Sequence, residues 1–167
     1  MEYLFYGCSK LTSINLSNFD TSNVKYMDNM FQGCSKLSSI DLSNFNTSKV
    51  ISMNYMFRSC SNLNKINFEN INTSLVEKME HMFSECFKLG SIDISNFDLS
   101  KVKTMFAMFY RCSNLEYINF GNANTSSVKN MRSLFNGCKN LTSINLSSFL
   151  LFQKLQHFGG CLKDVLI

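Results

Sequence analysis

Residues 22–45 read SNVKYMDNMFQGCSKLSSIDLSNF, and this unit recurs every 26 residues along a chain of 167. Cys34 returns as Cys60, Cys86, Cys112 and Cys138 and is preceded by Cys8. Phe31 returns as Phe57, Phe83, Phe109 and Phe135 and is preceded by Phe5. A period held this strictly is the signature of a stacked array, in which each repeat covers its neighbour and the core is a continuous column.

Within a unit the hydrophobic period changes once. Val24, Met27, Met30, Phe31 and Cys34 are three, three, one and three apart, the spacing of one helix face. This predicts a short helix after an N-cap at Ser22, with Thr21 as the alternative. Gly33 is replaced by Ser59, Glu85 and Arg111 in other copies, so a left-handed glycine cap is not required there. After the cysteine the period becomes two. Ile40 and Leu42 alternate with Ser39, Asp41 and Ser43, predicting a strand with the apolar pair inward. The pair recurs as Ile14/Leu16, Ile66/Phe68, Ile92/Ile94, Ile118/Phe120 and Ile144/Leu146. Phe45 and its equivalents Phe19, Ile71, Phe97, Ala123 and Phe149 are expected to plug the corner that follows.

The expected fold class is therefore α/β: a solenoid with one short parallel strand and one short helix per 26-residue repeat. Helix axes pack ~8–10 Å apart and strands ~4.8 Å apart, so such a stack should curve into an arc with the strands inside. The array is expected to run over 1–149 as about six repeats, the first partial. Residues 150–167 break the register; Leu151, Leu155, Phe158 and Leu162 still fit one helical face, as in a degenerate terminal repeat or cap.

The pattern M-F-x-x-C-S-x-L-x-x-I-D-L-S-N-F-x-T-S-x-V-x-x-M closely resembles the BspA-like leucine-rich repeat family of bacterial surface proteins and lipoproteins, over roughly residues 3–149. Leu37-Ser38-Ser39-Ile40-Asp41-Leu42 is similar to the leucine-rich strand motif. The resemblance implies a cell-surface or secreted location and a role in adhesion or host interaction. The N-terminus MEYLFYGCSK lacks the basic and apolar regions of a secretory signal peptide, which leaves an intracellular location as the alternative.

Composition narrows the function classes. The formal net charge is +4, and the lysines are spread over every repeat, so neither a nucleic-acid nor a membrane-surface partner is expected. No apolar run reaches the ~18 residues of a membrane span. No two cysteines stand in the C-x-x-C spacing of a zinc site. Helix spacing would also hold adjacent cysteines ~8–10 Å apart, too far for disulfides; they are read as buried free thiols. The methionine ladders, Met27/Met53/Met79/Met105/Met131 and Met30/Met56/Met82/Met108, are read as core rather than as an exposed groove. His81 is read as an exposed helix position. No Ser/His/Asp or Cys/His set and no Gly-rich phosphate loop occurs, so no catalytic, cofactor or metal residues are assigned and the chain is read as non-enzymatic. Asn46, Asn72 and Asn124 begin N-x-S/T triplets, which follow from the repeat's own composition.

The candidate site is the outward side of the strands, expected to be concave and to bind a protein. Lys65, Glu69 and Tyr117 interrupt rows otherwise made mainly of Ser, and Asp41 and Asp93 alternate with Asn in the neighbouring row. The alternative is a structural or spacer segment of a larger surface protein, with no binding site of its own. Tyr3, Leu4 and Phe5 at one end and Val165 to Ile167 at the other lack a polar cap and are expected to favour self-association.

Overall fold

The computed structural model describes residues 1–144. Asn145, Leu146, Ser147, Phe149, His157, Cys161, the 150–167 cap and the uncapped end at Val165 to Ile167 lie outside the described residues. Five short strands occur in chain order: β1 (Ser39–Asp41), β2 (Lys65–Asn67), β3 (Ser91–Asp93), β4 (Tyr117–Asn119) and β5 (Ser143–Ile144). Pairing is parallel and in register with the sequence period: Ile40 lies beside Ile66, and Ile92 beside Ile118 and then Ile144. The strands form two sheets, β1-β2 and β3-β4-β5.

The expected helices are absent among the described residues. In their place a second parallel ladder runs through Tyr26, Ser52, Lys78, Thr104 and Asn130. Its hydrogen bonding explains why. The N–H groups of Met27, Asn29, Phe31 and Gly33 donate to the carbonyls of Ser52, Asn54, Met56 and Arg58 in the next rung, at 2.8–3.0 Å. The intervening N–H groups of Met30, Gln32 and Cys34 donate three residues back, to Met27, Asn29 and Phe31. Each segment is thus a run of reverse turns that spends every second donor on its neighbour, where a helix would keep them all. The turns need left-handed residues at two columns. One holds Asn29, Tyr55, His81, Ala107 and Ser133, and the other Gly33, Ser59, Glu85, Arg111 and Gly137, all with positive φ. The left-handed conformation persists in copies that lack glycine, Ser59, Glu85 and Arg111.

This second ladder also alters the predicted shape. Phe5, Phe31, Phe57, Phe83, Phe109 and Phe135 form one stack with ring centroids 5.2–5.9 Å apart. That step is close to the ~4.8 Å of a strand ladder. The two sides advance together, so the wedge that helices would have driven into one side is missing. The cause given for an arc with an inner, concave face is therefore removed.

The core lies between the two ladders. Met27, Met30, Phe31 and Cys34 come from the turns and Ile40, Leu42 and Phe45 from the strand and its corner, all buried. They meet across the core where Phe68 sets its edge to Phe83, at 6.1 Å between centroids. The strand pairs point inward as expected, with Ile14 and Ile66 only partly buried. Both methionine ladders are core, Met131 being partly buried.

Thr21 and Ser22 cap no helix. Thr21, Thr47 and Thr73 are buried, and each hydroxyl bridges to the next rung. Thr47 Oγ1 accepts from the Asn72 N–H at 2.7 Å and donates to the Asn72 carbonyl at 2.9 Å. Replacing Thr47 with valine keeps the shape and strips both bonds, leaving the Asn72 N–H without its acceptor. The expected loss is about 2 kcal/mol in urea unfolding; a loss below ~0.5 kcal/mol would show that water replaces the hydroxyl.

The cysteine column follows the same logic. Cys34, Cys60, Cys86, Cys112 and Cys138 are free and buried, and Cys8 is free and exposed. Each buried thiol donates to the phenylalanine carbonyl of the preceding rung, from Cys34 on Phe5 at 3.2 Å to Cys138 on Phe109 at 3.0 Å. The thiols are free as expected, though no helices set their spacing.

Candidate protein-binding face

The strand ladder holds its outward side chains in columns, because parallel in-register pairing sets Ser39 beside Lys65 and Tyr117 between Ser91 and Ser143. Lys65, Glu69, Tyr117, Asp41 and Asp93 are all exposed, on the strands or, for Glu69, just after one. Tyr117, at 47% exposure, is its large aromatic. An open hollow of about 520 Å³ crosses the first three rungs, with Ser39, Asp41, Lys65 and Asn67 along its polar side and Ile40 and Ile66 at its floor.

The face is less uniform in role than its columns suggest. The Asp41 carboxylate accepts the Ser43 N–H at 2.9 Å, and Asp93 does the same for Ser95. Asn15, Asn67 and Asn119 repeat this contact with Ser17, Glu69 and Gly121. Asp and Asn alternate in this column because either side chain can close the turn that ends the strand. Bonds from Ser43 and Ser95 hold Asp41 and Asp93 below the usual carboxylate range. Asp93 also accepts from Asn119 Nδ2 at 3.0 Å, tying two rungs together. Both acids are therefore already occupied in holding the rung. Lys65, Glu69 and Tyr117 project from it with their charge or ring unspent on a turn.

The ladder of turns carries a second group of side chains that the helical reading passed over. His81 stacks on Tyr55 at 5.0 Å and meets the edge of Phe106 at 5.1 Å, half-buried where an exposed helix position was expected. Burial and the Arg58 guanidinium push its pKa down. Glu85 accepts from Ser59 Oγ at 2.6 Å and faces Arg58 at 3.9 Å. Further along stand Phe87, Tyr110, Arg111 and Lys139. Their signal in the sequence was disagreement between copies: the column of Phe87 and Lys139 is serine at Ser35, Ser61 and Ser113. Among the described residues no group of three or more His, Cys, Asp or Glu is placed to hold a metal, and no helix is long and apolar enough to cross a membrane.

A family model described as "Mycoplasma protein of unknown function, DUF285" matches residues 1–117 and 90–156, which together span nearly the whole repeat array. The chain belongs to this family. Among solved structures, this DUF285 chain is similar to a leucine-rich repeat protein of T. pallidum, with 19% identity, 93% of this chain and 76% of that one covered, and a TM-score of 0.49. It is also similar to a leucine-rich repeat protein of Bacteroides ovatus, with 24% identity, 86% and 45% coverage, and a TM-score of 0.33. The DUF285 chain thus spans under half the length of that second protein. No curated protein matches.

Proposed function

We propose that the chain is a non-enzymatic protein-binding module whose strand face engages a partner protein, as part of a BspA-like surface protein acting in adhesion or host interaction. The observation that supports this most is Tyr117 and Lys65 rising from the same serine column, two rungs apart, with Glu69 four residues beyond Lys65 on its rung. An exposed tyrosine is among the side-chain types that dominate binding energy at protein interfaces. The surface location and the adhesion role rest on the sequence resemblance alone.

The test is a quantitative pull-down comparing the native chain with a variant carrying Lys65→Ser, Glu69→Ser and Tyr117→Ser. Serine is what most other rungs hold in these columns, so the variant should fold. A partner captured by the native chain and weakened at least ~10-fold by the variant supports the strand face. Equal capture by both would move the site elsewhere. The second reading, a spacer segment of a larger surface protein, is favoured by the structural work of Asp41 and Asp93, which leaves much of the face committed to turns. On that reading neither chain captures a saturable partner.

A further inference from the structure

The ladder of turns has a hollow of about 410 Å³ whose lining includes Phe87, Tyr110, Arg111, Asn136 and Lys139. It lies on the opposite wall of the core from the strands, and is independent of the strand-face reading. Two cations line it, and no acid does. Phe87 stands 41% exposed at its wall, a large apolar side chain where other rungs place serine. The Arg111 guanidinium lies over the Tyr110 ring, 5.2 Å from its centroid, which fixes the cation at the hollow.

The placement of Arg111 is backbone-costly. Its φ is +59°, in a column where Gly7, Gly33 and Gly137 adopt the same left-handed conformation without a Cβ, and Ser59 and Glu85 adopt it with one. The next rung makes room for it: a Cβ on Gly137 would meet Arg111 Cγ at 3.0 Å and Cα at 3.1 Å. Glu85, the acid one rung away in the Arg111 column, is turned toward Ser59 and Arg58. Nothing in the fold needs an arginine at 111, since glycine satisfies the same turn elsewhere.

We infer that this hollow is a second docking site, taking an acidic side chain presented next to an aromatic one by a segment of a partner protein. The carboxylate would face Arg111 and Lys139 and the ring would cover Phe87. Aromatic and arginine side chains gathered at one spot are the composition of a protein-interface centre, whereas a free anion would have no use for Phe87.

The test is an NMR titration of the isotope-labelled full chain with the blocked peptide acetyl-Glu-Phe-Glu-amide. Acetyl-Lys-Phe-Lys-amide and free glutamate serve as controls. The expected result is saturable shifts of the amides around 87, 110–113 and 136–139, with the lysine peptide inactive and free glutamate at least tenfold weaker. Arg111→Gly and Phe87→Ser each install a residue other rungs already use. Each should weaken the peptide at least tenfold, and Arg111→Gly should leave the urea midpoint unchanged or higher. The inference is overturned by an absent or non-saturable response, or by shifts centred on Lys101, Lys103 and Lys129. It is equally overturned by titrations that neither variant alters, or by glutamate binding as tightly as the peptide, which would make the hollow a small-anion site.

Discussion

Raising the pH from 8.5 to 10 under reducing conditions should strongly destabilise this chain. Burial pushes the Cys34 thiol up to about 11, and pushes Cys60, Cys86 and Cys112 further in the same direction. An unfolded cysteine loses its proton near ~8.5. Above that pH the unfolded chain holds fewer protons than the folded one, so stability falls as pH rises. The thiols cost nothing below ~8.5. For Cys34 the loss continues until about 11, where the folded thiol itself ionises. Each raised thiol contributes a slope of ~1.4 kcal/mol per pH unit, so the four together approach ~5 kcal/mol per unit. Set against a total stability of ~5–15 kcal/mol, that is enough to empty the folded state within roughly one to three units. Urea unfolding at pH 8, 9 and 9.5 measures the slope. Cys60→Ala and Cys86→Ala variants isolate the thiols from lysine and tyrosine, and each should flatten the slope by ~1.4 kcal/mol per unit. A slope of native protein under ~1 kcal/mol per unit would mean that the cysteine column is not held as buried thiols.

The same column shows why part of the fold was legible in the sequence and part was not. The period of 26 and the inward residues could be read directly, because stacking identical rungs demands that each column repeat its own chemistry. Ile40, Leu42, Phe45, Met27, Met30, Phe31 and Cys34 are all buried as that reading expects. The helix could not be told from its alternative. Inward side chains three, three, one and three apart suit a helix face, and they suit equally a run of reverse turns with a left-handed residue every fourth position. The distinguishing signal was Gly7, Gly33 and Gly137 in one column and Asn29 in the other, residues that tolerate positive φ. Ser59, Glu85 and Arg111 obscured it, because neighbouring rungs hold those residues in a conformation they would not choose alone. The site divides similarly. Exposure of Lys65, Glu69 and Tyr117 follows from strand alternation. The turn-closing role of Asp41 and Asp93 needed the observation that the residue two places on donates its N–H. The hollow at Arg111 was out of reach while its segment was read as a helix, since a helix would splay Phe87, Tyr110 and Arg111 along different directions.

Replacing Phe83 with alanine should cost about 3–5 kcal/mol. Phe83 is fully buried, parallel to Phe57 at 5.8 Å and to Phe109 at 5.4 Å, with the edge of Phe68 against it at 6.1 Å. The rung spacing is fixed by backbone bonds on both ladders, including Phe83 N–H to the Met108 carbonyl at 2.9 Å. Neighbouring rings therefore cannot close the gap, and the cavity survives at nearly the volume of the lost ring. In a solenoid each rung contacts only its two neighbours, so one interior defect weakens two interfaces at once. The transition should broaden as the rungs before and after Phe83 begin to melt separately. Phe5, half-buried on the first rung and stacked on Phe31 from one side only among the described residues, supplies the comparison. Phe5→Ala should cost under ~2 kcal/mol and leave the transition sharp. Phe83→Leu, which refills most of the hole, should recover over half the loss. Equal costs at Phe83 and Phe5 would mean that the ring column is a passive filling and that the two backbone ladders alone hold the stack.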